Sequence, residues 1–399
     1  MNKYLFLLIP SLLFSNNKLH PDDPKSRPHH TLGFGVMGAT FINGDQVFVG
    51  QSRSTLNNGS VYIYDFSDQN NTIKEEIFPN ITGTVKYDFG HSISVDGNFM
   101  VVGAPSKAGT GIGRAFIYHR SQENKWLLNQ EIVPNKSRWT TDFGSAVAIN
   151  GNLILISDRF AKNEHGMIYA MHFNENINKW NAVSPISSDK IVAHGMFGHA
   201  IDIEENRALI GSRDGNIAID YIFDETSLGW VENHTFTPFK LQSGGRFGYS
   251  VALLENKAFI GYPGYNQKGE VHVYSFDEST WSKQQIITND SAEEKSYFGS
   301  SVNAKGNHLA VGSFNGENVN LFGANNGSYV SLQTLSPQNF PGSKFGRSLY
   351  LDENKLVVGA TYGQIAYVYN NNGDQNWKIN EVLSSSNRNE SILNSYSPC

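Results

Sequence analysis

From residue 31 onward the chain is a succession of short apolar runs broken by turn residues, and the order of the runs repeats. Residues 91 to 95 alternate and are rich in β-formers, which predicts a strand. Asp96-Gly97 follows, a pair suited to a two-residue hairpin because both central positions of such a turn need positive φ. Next comes Phe99-Met100-Val101-Val102, apolar throughout, which predicts a strand buried on both faces. A glycine-rich loop leads to a third strand, Ala115 to Tyr118, and a fourth opens at Trp126. The same order recurs: Leu153 to Ile156 and Leu356 to Val358 are second strands, and Val271 to Tyr274 and Ala366 to Tyr369 are third strands. Trp180, Trp230, Trp281, Tyr329 and Trp377 open fourth strands.

Fixed residues mark the period. Phe-Gly stands at residues 89, 143, 197, 247, 298 and 345, with Ser or Ala three places after each Phe and Gly or Ser fourteen places after it. An earlier copy ends at Gly50 but carries Val36-Met37 in the Phe-Gly slot. Successive slots lie 47 to 54 residues apart, a period that belongs to propellers and solenoids. A four-stranded antiparallel sheet cannot bury both of its faces alone. Seven of them stacked around an axis can, so the expected fold is all-β, a seven-bladed β-propeller over residues 31–385. No amphipathic helix is legible.

Phe-Gly-x-Ser, then Val102-Gly103-Ala104-Pro105, then Gly113-Arg114-Ala115-Phe116-Ile117-Tyr118 resembles the FG-GAP repeat of integrin α-subunit heads and of many secreted bacterial and protist proteins. The resemblance implies a seven-bladed propeller and suggests adhesion or surface recognition. Integrin-type repeats often hold calcium between the first two strands. Here that place carries only hairpins such as Asn43-Gly44 and Asp96-Gly97, which are too short to supply the six to eight oxygens calcium takes. Neither calcium nor any other cofactor is therefore expected.

Composition narrows the partners. The net charge is −6 and charged residues make up 17 %, so no basic face for nucleic acid is implied. Residues 1–16 read as a signal peptide, with Lys3 before an apolar run too short to cross a bilayer; 17–30 read as a polar leader and 386–399 as a flexible tail. No second apolar stretch exists, so no transmembrane segment is expected. The one cysteine, Cys399, excludes an internal disulfide. Asn-x-Ser/Thr sequons at Asn58, Asn70, Asn80, Asn135, Asn233, Asn289, Asn326 and Asn389 would carry glycans in a eukaryotic secretory pathway.

Candidate chemistry is sparse. Gly33 to Gly38 matches G-x-G-x-x-G, but that motif needs a following helix, and a hairpin follows here. His91 and His199 share a slot with Ser145, Tyr249, Ser300 and Arg347, and so varied a slot reads as scaffold. The loop entering each first strand and the loop after each second strand emerge on one face. That face gathers Asp88, Trp139, Asp142, Arg246, Tyr297 and Lys344 from the first kind of loop. From the second come Arg53, Asp158, Arg159, Arg213, Asp214, Tyr265 and Tyr362. Arg, Tyr and Trp are the types that dominate binding surfaces. The expectation is a secreted, non-catalytic module binding an extracellular protein or glycan through this face. The alternative is a secreted lyase or hydrolase with its pocket at the channel mouth, using Asp158, Asp214, Arg159 and Arg213.

Overall fold

Each sheet is a simple meander. In the second, Ser92–Asp96, Phe99–Ala104, Arg114–Arg120 and Trp126–Ile132 pair antiparallel in chain order. The structure is a computed structural model. It describes residues 39–384 apart from 53–57, 67–72, 82–84, 107–110, 135–141, 290, 338–340, 372, 374 and 375. The signal segment, the leader, the tail, Gly33 to Gly38 and the sequons at Asn70, Asn135 and Asn389 lie outside the described residues. Those residues form seven four-stranded antiparallel sheets, as the repeat predicts. The blades span 40–77, 92–132, 147–182, 197–236, 251–288, 298–335 and 345–384. The little helix among the described residues is a single turn at Ala161–Glu164 and a 3-10 turn at Tyr265–Gln267.

The first strands of neighbouring blades pack on one another around the axis, and the seventh packs on the first. The core is seven separate slabs, one in each gap between blades. Between blades one and two lie Phe48, Ile63, Met100, Val102 and Trp126; between seven and one lie Val47, Val49, Tyr64, Val357 and Val368. Second strands are apolar throughout because successive side chains feed opposite slabs: Met100 and Val102 enter one, Val101 the next. How the ring closes was not legible in the sequence. Each terminal blade is complete from one contiguous segment, and the seam is held by apolar packing and by Tyr64 Oη donating to the Ser384 carbonyl at 2.6 Å.

The fixed residues of the repeat sit where blades touch. The Phe-Gly glycines take left-handed φ, for example +89° at Gly144 and +85° at Gly299. The trailing glycines Gly50, Gly103, Gly211, Gly261 and Gly312 each lie against the carbonyl of the next blade's Phe-Gly glycine. A Cβ on Gly103 would stand 1.9 Å from the Gly144 oxygen, and one on Gly261 would stand 2.0 Å from the Gly299 oxygen. The serine three places after Phe donates to that same carbonyl: Ser92 to Gly144 at 2.9 Å, Ser250 to Gly299 at 2.8 Å and Ser301 to Gly346 at 2.7 Å. Blades three and four carry Ala146 and Ala200 there and make no such bond. At the outer edge, Gln130, Gln285 and Gln333 each pair both amide ends with the backbone of the next blade's aromatic, at Trp180, Tyr329 and Trp377.

Candidate functional site at the channel mouth

After each Phe-Gly the chain turns onto the inner strand, so the residue two places after Phe comes to the upper rim of the channel. Ser145, His199, Tyr249, Ser300 and Arg347, all of that slot, line a cavity of about 180 Å³. This corrects the scaffold reading of the slot. Its residues vary because each blade contributes a different wall to one cavity. Three residues further down, Phe41, Ser94, Asp202, Asn303 and Tyr350 line the deeper part. The rings of Phe41 and Tyr350 meet there across the seam, centroids 3.9 Å apart.

His199 is 4 % exposed and carries the most defined chemistry. Arg159 grips Asp142 with two bonds, Nε to Oδ2 at 2.6 Å and Nη2 to Oδ1 at 3.2 Å, and its Nη1 stands 3.0 Å from His199 Nδ1. A guanidinium only donates, so Nδ1 accepts and the proton sits on Nε2. That N–H has no partner among the described residues. Burial pushes the His199 pKa well below its ordinary 6.5, and the charges of Arg159, Arg213 and Arg246 push it further the same way. The ring is therefore neutral near pH 7, a hydrogen-bond donor in the channel wall. Tyr249 packs against it at 4.6 Å.

Two carboxyls near this ring titrate far from the usual range. Asp202 lines the cavity; its Oδ2 accepts from Leu253 N at 2.7 Å and its Oδ1 from Ile203 N at 3.0 Å. Burial still raises its pKa to about 7. Asp158 is fully buried behind the mouth; burial first and the Asp142 charge second raise it to about 7. Its Oδ1 accepts from Phe160 N at 3.3 Å, while Oδ2 has no partner among the described residues.

Of the expected loop-face residues, Arg53 and Trp139 lie outside the described residues. None of the others lines the cavity. The structure brings Asp142, Asp158 and Arg159 together behind His199, with Arg213 and Arg246 close enough to act on its charge. Asp214 is occupied by Arg213 at 3.0 Å. Tyr297 stacks on Phe314 at 5.3 Å beside Lys344, Asp88 is buried below the rim, Tyr265 stacks on Tyr262 at 5.1 Å, and Tyr362 is exposed. His199, Asp202, Tyr249 and Arg347 were missed. The signal was present: the slot two places after Phe is polar in all six Phe-Gly copies. Among the described residues no three His, Cys, Asp or Glu side chains gather so as to hold a metal ion, and no helix is long and apolar enough to cross a membrane.

No family model matches the chain, and no curated protein gives a significant match. Solved structures do resemble it. A putative 6-phosphogluconolactonase from Bacteroides uniformis superposes with a TM-score of 0.58 at 12 % identity, over 83 % of this chain and 94 % of that one. The periplasmic gluconolactonase of Pseudomonas aeruginosa gives 0.55 at 12 %, over 89 % and 95 %. A Lactobacillus plantarum protein gives 0.59 at 11 %, over 85 % and 96 %. At these identities the likeness shows the shared propeller fold. The neighbours named for an activity are lactonases, which are enzymes. These names tell against the expectation of a non-catalytic binding module and favour its alternative, an enzyme with its pocket at the channel mouth.

Proposed function

We propose that the protein is a hydrolase that opens a lactone, or a comparable ester of a small polyhydroxylated acid, inside its central channel. The observation that carries the reading is His199: a neutral, buried imidazole whose Nε2–H has no partner among the described residues and belongs to the wall of a cavity also lined by a carboxyl with a pKa of about 7. The lactonase names of two structural neighbours support the choice of bond. Kinship with FG-GAP repeats is part of the same proposal, supported by the repeat pattern itself.

In this reading the substrate carbonyl oxygen accepts from His199 Nε2–H, which strengthens as charge develops there. The Asp202 carboxylate takes a proton from water as the oxygen attacks the carbonyl carbon. It returns that proton to the ring oxygen as the C–O bond breaks, leaving the open hydroxy acid. Arg159 positions the imidazole, and Asp142 positions Arg159. The test is hydrolysis of glucono-δ-lactone, its 6-phosphate and an aryl ester, followed by acid release. Removing the base in Asp202→Asn should cost about 10²–10⁴-fold in rate. Absence of turnover above the buffer rate for every lactone and ester tried would sink the reading.

A further inference from the structure

Three carboxylates of the rim are already engaged, while two of its arginines have no carboxylate partner among the described residues. Asp142 is held by Arg159, Asp214 by Arg213, and Glu317 by the backbone N–H groups of Gly342 and Lys344. Arg246 has no carboxylate partner among the described residues, and neither has Arg347, whose guanidinium lies 5.8 Å from the face of Phe314. Arg347 belongs to the cavity wall. Arg246 precedes Phe247 in the left-handed region, φ +63°, a conformation a non-glycine residue adopts at a cost and one that fixes where its side chain leaves the backbone. Arg246 leads into blade five and Arg347 stands in blade seven; Tyr249 of blade five and Ser300 of blade six line the cavity wall that runs round to Arg347.

The opposite end of the channel has the other sign. Asp202 lies deep in the cavity, and Asp96 and Asp352 act with it on Tyr350. A channel that is cationic at its mouth and acidic at depth attracts anions and orients them as they enter.

We propose that the mouth is an oxyanion receptor, in which Arg246 and Arg347 hold a carboxylate or phosphate group of the ligand while its neutral end reaches down the channel. This deepens the hydrolase reading, on which it rests for the chemistry alone. The substrate is then a lactone or ester carrying an anionic group at the end remote from the reacting carbonyl. Charge-assisted bonds from a guanidinium to such a group are the strong class of hydrogen bond, and arginine's planar fork suits both carboxylate and phosphate.

Calorimetric titration of the full chain with inorganic phosphate, D-gluconate and D-glucose tests it. The proposal expects at least one anion to bind, more weakly as salt is added, and glucose to bind at least about tenfold more weakly. The tighter of phosphate and gluconate names the group. Arg246→Gln and Arg347→Gln should each lose roughly tenfold or more in anion affinity, with Arg347→Lys in between, and melting curves matching the parent's exclude misfolding. Binding of neither anion, glucose binding as tight as the anions, or unchanged anion affinity in both glutamine variants would overturn the proposal. Anion binding by a protein that turns over no lactone or ester supports the receptor and removes the hydrolase. Turnover indifferent to substrate charge does the reverse.

Discussion

Nη1 of Arg159 stands 3.0 Å from Nδ1 of His199, and this contact between two blades decides which imidazole nitrogen carries the proton. Asp142, by holding Nε and Nη2, leaves Nη1 as the end that reaches across. Replacing Arg159 by Met in an Asp142→Asn background removes the contact without stranding a buried carboxylate. His199 should then titrate closer to 6.5, because a donor and a repelling charge are both gone. Histidine NMR reads the titration. The sign on stability follows from the depressed pKa. In the parent, His199 contributes stability that is present above about 6.5 and lost as the pH falls, because the unfolded chain takes up a proton that the folded one refuses. The double variant should lose less stability between pH 6.5 and 5 than the parent. An unchanged His199 titration would refute the assigned role.

Asp202 offers a cleaner control than most buried acids. Asn303 fills the same slot in blade six and accepts from Leu351 N at 2.9 Å, as Asp202 accepts from Leu253 N at 2.7 Å. Asp202→Asn should therefore keep the fold and slow hydrolysis by about 10²–10⁴-fold. In the parent, the rate should rise with pH through about 7, where the carboxyl ionises, and then level. Stability should run the other way. A pKa raised from 3.8 to about 7 gives a contribution that is full below 3.8 and is lost as the pH rises through about 7. Asp158, also at about 7, adds the same trend, so the variant should flatten the slope of Tm between about pH 4 and 7 without abolishing it. An unaltered slope would contradict the burial assigned to Asp202.

The blades were legible because each requirement repeats. Asp96-Gly97 and its equivalents turn the chain, second strands such as Phe99–Ala104 feed two slabs, and the Phe-Gly and trailing glycines fit where backbones touch. The site was not legible for the same reason inverted. A cavity on the axis is walled by one residue per blade, so its chemistry appears as the failure of a slot to repeat. His199, Tyr249 and Arg347 lie far apart in sequence, and only ring closure makes them neighbours in one wall. The pairing of Arg159 with His199 crosses from blade three to blade four, and no spacing rule within a blade encodes it. The seam was hidden too, since the bond from Tyr64 to Ser384 joins the first and last blades, 320 residues apart in the chain.

In blade one Glu75 stands where blades two, five and six carry Gln130, Gln285 and Gln333. Trp126 N donates to its Oε2 at 3.3 Å, but a carboxylate cannot return a bond to the Trp126 carbonyl as Gln130 does to Trp180. Partial burial raises its pKa, so ionised Glu75 is disfavoured in the folded state. Glu75→Gln should stabilise the protein at pH 7 by about 1 kcal/mol, the worth of one added hydrogen bond. The gain should shrink as the pH falls toward the ordinary glutamate range, where Glu75 is protonated in both states. Urea denaturation at pH 7 and pH 4 measures both; a variant no more stable than the parent at pH 7 would show that the glutamine pairing contributes nothing.

The glycines and serines between blades differ in what they contribute, and magnitude separates them. Ser301→Ala removes one hydrogen bond to the Gly346 carbonyl and should cost about 1 kcal/mol. Gly312→Ala would place a Cβ 2.1 Å from Ser301 Oγ and 2.2 Å from the Gly346 oxygen. Backbone cannot yield as a side chain can, so blade seven must shift against blade six, at a cost of about 3 kcal/mol or more. The double variant should cost little beyond Gly312→Ala alone, because the Cβ already forces apart the surfaces that the hydroxyl joins. Blade four provides the converse. A Cβ on Gly211 would stand 2.0 Å from the Gly248 oxygen, the geometry seen where a serine is present, yet Ala200 faces it. Ala200→Ser should add the missing bond and gain about 1 kcal/mol. Denaturant midpoints for the four variants order the effects. A Gly312→Ala protein as stable as Ser301→Ala would mean that close backbone approach is not what reserves this position for glycine.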